Sequence, residues 1–78
     1  MWWWLEKIEE NEDAVIYIYG VETQKTSGKI LLTKNTNEVT RIKMADNDNE
    51  KLYLIFAGFV RSIIAKANYP SVRSIAIG

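Results

Sequence analysis

Residues 46–60, with the sequence DNDNEKLYLIFAGFV, decide the expected fold because turn-forming side chains pass directly into a long apolar run. Asn47 or Asp48 can cap a helix by accepting hydrogen bonds from the free amides of its first turn. Pro70 disfavours helical geometry at the residue before it, so the helix should end shortly before this proline. The sequence therefore predicts one helix over residues ~48–68.

Apolar side chains spread around most of this predicted helix rather than along a single stripe. At about 100° per residue, one wide stripe should face a core, and it consists of Leu52, Tyr53, Phe56, Phe59, Val60, Ile63, Ile64 and Ala67. The opposite side carries polar residues, but it also holds Leu54 and Ile55 beside Gly58. A glycine inside a helix costs about 1 kcal/mol relative to alanine, and the close approach of another backbone would account for it.

These features lead to the hypothesis that the back of the helix packs on a second copy or on another protein. Leu54 and Ile55 would be its protruding side chains, and small residues would form a groove beside them. The alternative is two isolated exposed apolar residues, which are common on protein surfaces. The hypothetical interface consists of Leu54, Ile55, Gly58, Ser62 and Ala65, with Trp2 and Trp3 as further contacts.

The rest of the chain predicts strands, since β-branched and aromatic residues alternate between short polar turns. The expected strands cover residues 3–9, 14–21, 29–34 and 38–44, with a last strand after residue 71. Four strands joined by tight loops favour an antiparallel meander that the helix crosses on one face. We therefore expect one α+β domain over residues 1–78, with an antiparallel sheet of four or five strands, one helix and the order β-β-β-β-α-β. The last strand can join the sheet beside the first strand or beside the fourth.

Side-chain alternation gives more detail for three of these strands. Residues 14–21 are apolar at odd and even positions alike, which is typical of a central strand covered on both faces. In the fourth strand, Thr40, Ile42 and Met44 should share one face, and Val39, Arg41 and Lys43 the other. In the first strand, Trp2 and Trp4 share one face and Trp3 shares the other with Leu5, so at least one indole should lie away from the helix.

The residue types that are missing restrict the chemistry of this chain. It contains neither cysteine nor histidine, so it lacks the thiolate nucleophile, the imidazole base and the preferred zinc ligands. We expect no cofactor, no metal site and no enzymatic activity. An enzyme that uses Glu9 and Glu10 with tyrosine is a further hypothesis, which is weakened by the small volume that 78 residues can enclose.

Two apparent ligand motifs fail on inspection. Residues 46–50 look like the start of a calcium loop, but Lys51 stands where the loop needs glycine and Ala57 where it needs glutamate. Gly20 and Gly28 are too far apart for a phosphate loop, which also needs a hydroxyl residue after its lysine. Helix capping and strand ends explain these residues.

The apolar segments do not indicate a membrane protein. The opening MWWWL has no basic leader and runs directly into Glu6, so we do not interpret it as a signal peptide. The longest apolar run, residues 52–60, is far shorter than the roughly 20 residues that a bilayer requires. We expect a soluble, cytoplasmic protein without a membrane partner.

The charge is unevenly distributed although the net charge is zero. Most charged residues in 1–22 are acidic, whereas most charged residues in 23–45 are basic. The basic residues in 23–45 are Lys25, Lys29, Lys34, Arg41 and Lys43. These five basic residues are the candidates for binding single-stranded nucleic acid. Aromatic side chains near them could stack on its nucleobases. A neutral chain without a recognised motif argues against that role. The expected function is association, either as a homo-oligomer such as a homodimer or as an accessory or regulatory partner of another protein.

Overall fold

The computed structural model describes residues 2–21, 28–45 and 49–76 of the chain. Within them the backbone forms five strands and one helical segment. The strands are β1 (Trp2–Glu10), β2 (Ala14–Val21), β3 (Gly28–Thr33), β4 (Glu38–Lys43) and β5 (Val72–Ala76). The helix α1 (Glu50–Phe59) continues into a π-helical turn, Val60–Ile64. This arrangement confirms the predicted α+β class and the predicted order of elements.

The five strands form one antiparallel sheet in the order β4-β3-β2-β1-β5. β1 to β4 make the predicted meander, in which each strand pairs with the next along the chain. β5 pairs with the remaining edge of β1, so that Trp2 lies opposite Ala76 and Glu6 opposite Val72. The last strand therefore lies beside the first, and the segment that contains α1 passes from one edge of the sheet to the other.

The central position of β2 follows from its apolar residues. Val15, Tyr17 and Tyr19 point to the helix and are completely buried. Ile16 and Ile18 point to the other face and are only partly buried. The prediction that both faces of this strand are covered thus holds on the helix side, whereas no described element of the chain covers the other side.

Aromatic rings from the sheet and from α1 form the centre of the core. Phe56 stacks on Tyr19 with ring centroids 4.5 Å apart, and the Trp3 ring lies 5.8 Å from the same phenylalanine. Burial of each large apolar side chain contributes about 1.5–3 kcal/mol, which holds the helix on the sheet. The predicted core stripe of α1 is confirmed with two changes, since Ala57 belongs to the core and Ala67 is exposed.

The helix begins and ends within the predicted range. Asn49 is its N-cap, because the side-chain Oδ1 accepts a hydrogen bond from the Leu52 amide at 3.0 Å. The predicted caps Asn47 and Asp48 lie outside the described residues. The helical segment ends at Ile64, earlier than predicted, and turns lead to Asn68 and Tyr69, whose φ angles are 61° and 57°. These left-handed residues redirect the chain towards β5.

Two irregularities in strand pairing break the side-chain alternation. The register shifts between Lys7 and Glu9 in β1, which leaves Ile8 as an extra residue, and Ile42 is the extra residue in β4. Because of the second shift, Lys43 lies opposite Lys29 rather than on the face that carries Arg41. The predicted alternation over residues 38–44 is therefore wrong after Arg41, since a bulge inserts one residue without a partner.

Candidate association surfaces

Two apolar surfaces remain exposed, one on each side of the molecule. The first, called the helix surface, is the outer side of the helical segment and contains Leu54, Ile55, Gly58, Ser62 and Ala65. The second, called the open sheet face, is the side of the sheet opposite α1, and its partly or fully exposed apolar residues are Trp2, Ile16, Ile18, Leu31 and Val72, with the buried Trp4 on the same side. The sheet and the buried core separate these two surfaces.

The helix surface exposes the two large apolar residues that the sequence places there. Leu54 is 62% exposed and Ile55 is 39% exposed. Together with Gly58, Phe59 and Ser62 they border a shallow groove of about 330 Å³. A β-carbon on Gly58 would have no described atom of this chain within 4 Å outside its own helical backbone, so packing within the chain does not require glycine here.

The structure does not bring the predicted tryptophans to the helix surface. Trp3 is completely buried beneath the helical segment, where its ring lies 5.8 Å from Phe56 and 6.3 Å from Phe59. Trp2 is 38% exposed and belongs to the open sheet face. The seven residues proposed from the sequence therefore divide between the helix surface, the core and the open sheet face.

The open sheet face is more extensive, and sequence reasoning did not single it out. Val72 is 69% exposed on the edge strand β5, and Trp2 is 38% exposed on the neighbouring β1. Ile16, Ile18 and Leu31 lie on the adjacent inner strands β2 and β3 and are partly buried. The sequence did contain a signal for this face. The even positions of β2 are apolar, whereas the solvent-facing positions of a sheet with one face in water are normally polar.

One row of residues across the open sheet face carries opposite charges on either side of an apolar centre. Ile18 pairs with Glu6 of β1 and with Lys29 of β3. Lys29 pairs in turn with Lys43 of β4, and Glu6 with Val72 of β5. Among the described residues, neither Glu6 nor Lys29 forms an ion pair. The two lysines are a cross-strand pair of like charge, which is unfavourable unless a negative group neutralises it.

A depression of about 550 Å³ lies on the β1 and β5 side of this row. Trp2, Trp4, Ile18 and Val72 line it, with Glu6 and Ser74 among its polar residues. Trp4 lies over Gly20, which has no side chain to occupy this space. The lining is apolar and polar in similar measure, with Glu6 as its one carboxylate, so the depression can receive an apolar side chain beside a hydrogen-bond donor.

Two of the five candidate bases for nucleic-acid binding are already engaged with carboxylates. Lys34 Nζ lies 2.7 Å from Glu10 Oε2, and Arg41 Nη1 lies 2.6 Å from Glu50 Oε2. The hydrogen bond to Glu50 raises the pKa of Arg41, whose guanidinium also stacks over the Tyr53 ring. Lys25 lies outside the described residues. Lys29 and Lys43 are thus the described candidates that remain for phosphate contacts.

The acidic pair that suggested acid–base chemistry is split between the two faces of the sheet. Glu9 pairs with Ile16 of the open sheet face, whereas Glu10 pairs with Val15 of the core face. Hydrogen bonds from Lys34 and Lys7 lower the pKa of Glu10 to about 2. A carboxylate with so low a pKa stays ionised at neutral pH and cannot serve as a general acid.

The described residues show neither a metal site nor a membrane span. No group of three or more aspartate, glutamate, histidine or cysteine side chains in the described ranges is placed so that it could hold a metal ion. No helix among them is long and apolar enough to cross a bilayer. Residues 46–48, which begin the apparent calcium loop, are not described.

Comparison of the chain with protein-family models, with curated proteins and with solved structures found no match. The arguments about function therefore depend on the chain's own surfaces.

Proposed function

We propose that this protein acts without catalysis, by associating with a second copy or with a partner protein. The open sheet face is the observation that carries this proposal. A sheet with one face on a helix normally presents alternating polar residues to water on the other. Here apolar residues stand at three of these positions, Ile16 and Ile18 in β2 and Leu31 in β3, where Lys29 and Thr33 are the polar neighbours.

The exposed apolar residues are grouped rather than scattered. Single exposed apolar side chains are common and need no explanation, but contiguous patches usually mark interaction sites. Trp2 and Val72 border the same depression, and Ile18 connects it with Leu31 through adjacent strands. This contiguity supports association more strongly than the exposure of any one residue.

The helix surface is a second candidate for contact with a protein. Leu54 and Ile55 protrude beside Gly58, whose missing side chain leaves room for the close approach of another backbone. A protein with two such surfaces on opposite sides can join two partners or form a larger assembly of identical chains.

Sedimentation of the wild type against one variant for each surface tests this proposal. Ile18→Glu places a charge at the centre of the open sheet face, and Leu54→Glu/Ile55→Lys alters the helix surface. Glu12→Lys, in the exposed turn after β1, is the control. We expect at least one surface variant to lower the mass of the wild-type assembly, whereas the control does not.

A partner protein would leave the purified chain monomeric, so capture from an extract of the native cells completes the test. The immobilised wild type should then retain a protein that one of the two surface variants fails to retain. The proposal is overturned if all chains are monomers of the same mass and all of them retain the same proteins.

A further inference from the structure

We propose that the open sheet face is covered by a second copy of this chain, packed sheet against sheet about a two-fold axis parallel to β2. This inference deepens the proposed function and rests on it, because it names the partner and the surface.

The charged row that contains Ile18 matches itself under this rotation. Glu6 and Lys29 flank Ile18 in one row, one on each neighbouring strand. A two-fold axis that runs along β2 exchanges the β1 side of one copy with the β3 side of the other. Glu6 of each copy then faces Lys29 of its partner, and Ile18 faces Ile18. Both ion pairs form at once because the contact is isologous.

The other sheet-to-sheet arrangement lacks this match. A two-fold axis in the same plane but perpendicular to the strands keeps β1 over β1 and β3 over β3. Centred on the same row, it would place Glu6 against Glu6 and Lys29 against Lys29. Like charges that face each other across an interface are unfavourable and suppress wrong partners, so the charges select the axis parallel to β2.

The face is large enough for a stable dimer. The Cα atoms span 31 × 22 × 21 Å, and the chain exposes 4642 Å² in total. One broad face of such a body amounts to roughly a fifth of its surface, or about 900 Å², close to the roughly 800 Å² per partner of a standard interface. The apolar centre of Ile16, Ile18 and Leu31 with charges beside it is also the usual anatomy of an interface.

Known sheet packing accommodates the side chains. Two sheets pack about 10 Å apart with their strands inclined by about 30°. At that separation, isoleucines from the two copies interdigitate, and a lysine and a glutamate extending from opposite sheets reach each other. Lys43, next to Lys29, then also lies close to the acidic side of the partner. The partner's Glu6 thereby relieves the like-charge pair of Lys29 and Lys43.

Charge exchange is the experiment that tests this geometry. The wild type should sediment as a dimer of about 18 kDa, twice the 9.0 kDa of one chain. Glu6→Lys or Lys29→Glu alone makes both ion pairs repulsive, and each should raise the dimer Kd at least about 100-fold. The double variant Glu6→Lys/Lys29→Glu restores both pairs and should dimerise like the wild type.

A mixture of the two single variants provides a second readout. Glu6→Lys carries two lysines at these positions and Lys29→Glu carries two glutamates, so one chain of each kind forms both ion pairs. An equimolar mixture should therefore contain heterodimers at concentrations where each variant alone is a monomer. Lys29→Glu also places a carboxylate beside Lys43 of its own chain, so its monomer should stay folded. Thermal unfolding of each variant checks the fold.

The outcomes separate this inference from the proposed function. A wild type that stays monomeric at its highest soluble concentration overturns the face-to-face dimer. So does a dimer that neither single charge variant weakens, or a mixture of variants that stays monomeric. If the wild-type dimer is lost only in Leu54→Glu/Ile55→Lys, the helix surface forms the contact: the face-to-face dimer fails and association stands. The proposed function itself is overturned only if the wild type and its surface variants are all monomers and all retain the same proteins.

Discussion

The indole of Trp4 lies directly over Gly20, its cross-strand neighbour on β2. A β-carbon built on Gly20 would overlap with the indole nitrogen and with two of its ring carbons. Gly20 has no positive φ angle, so it is needed for space rather than for an unusual backbone conformation. The ring in turn covers a strand position that has no side chain of its own to pack.

Gly20→Ala should lower the free energy of unfolding by about 1–3 kcal/mol, the usual cost of forcing extra atoms into a packed site. The displaced Trp4 should also become more exposed, with a red shift of tryptophan emission. Urea unfolding and fluorescence spectra measure both effects. A variant as stable as the wild type would show that Trp4 moves aside at no cost.

Gly58→Ala is the matched substitution, with the opposite expectation. No described atom of this chain obstructs a β-carbon at Gly58, and alanine is favoured over glycine inside a helix by about 1 kcal/mol. The variant should therefore unfold at a higher urea concentration than the wild type. A loss of stability would show that the open space beside Gly58 is filled in solution, and a lower mass at unchanged stability would identify the helix surface as a contact.

Tyr17 should make the fold sensitive to alkaline pH. Its hydroxyl donates a hydrogen bond of 2.7 Å to the carbonyl of Pro70, and burial raises the pKa of Tyr17 to about 12. The folded state thus holds this proton more tightly than the unfolded state, whose tyrosine pKa is about 10. The resulting stabilisation is complete below pH ~10 and is lost as the pH rises towards ~12.

Tyr17→Phe should lower stability at neutral pH by about 1 kcal/mol, the net contribution of such a hydrogen bond, and should flatten the alkaline decline. Thermal unfolding between pH 7 and 12 measures both effects. Tyr69→Phe is the control, because its hydroxyl forms no hydrogen bond with a described residue. Equal alkaline declines in the two variants would contradict the assignment to Tyr17.

Glu10 should contribute to the loss of stability in acid. Lys34 and Lys7 donate to its two oxygens at 2.7 and 2.6 Å and lower its pKa to about 2. The folded pKa is below the unfolded value of about 4.3, so this stabilisation is present above that value and is lost as the pH falls towards 2. Glu10→Gln should reduce the drop in melting temperature between pH 5 and 2. Glu12→Gln is the control, and an identical acid profile in both variants would contradict this role.

Local patterns in the sequence were sufficient to predict most of the fold. The bounds of β2 agree with the structure because Gly20 and Val21 close a continuous β-branched and aromatic run. The alternation of residues 2–5 correctly separates Trp2 and Trp4 from Trp3 and Leu5, but it does not say which pair faces the core, and Trp3, an expected interface residue, is buried. The position of β5 could not be predicted, since the free edges of β1 and β4 both accept an antiparallel or crossover strand and neither carries a local signal.

The candidate surface was harder to predict than the fold. The exposure of Leu54 and Ile55 follows from helix periodicity alone and agrees with the structure. The row that contains Glu6, Ile18 and Lys29 depends on the register of three strands, and a bulge such as the one at Ile8 changes register without a distinctive residue type. Pairing across strands must be known before such a row can be recognised.

The position of β5 has a consequence for how the chain acquires its structure. β1 is made first, yet one of its edges receives its hydrogen-bonding partner only when the last strand arrives from across the sheet. Until then, a tryptophan-rich edge is available to strands of other molecules, which is a recognised route to aggregation. Slow docking of β5 would therefore limit the yield of soluble protein, and extra hydrogen-exchange protection on the outer edge of β1 would appear late in refolding.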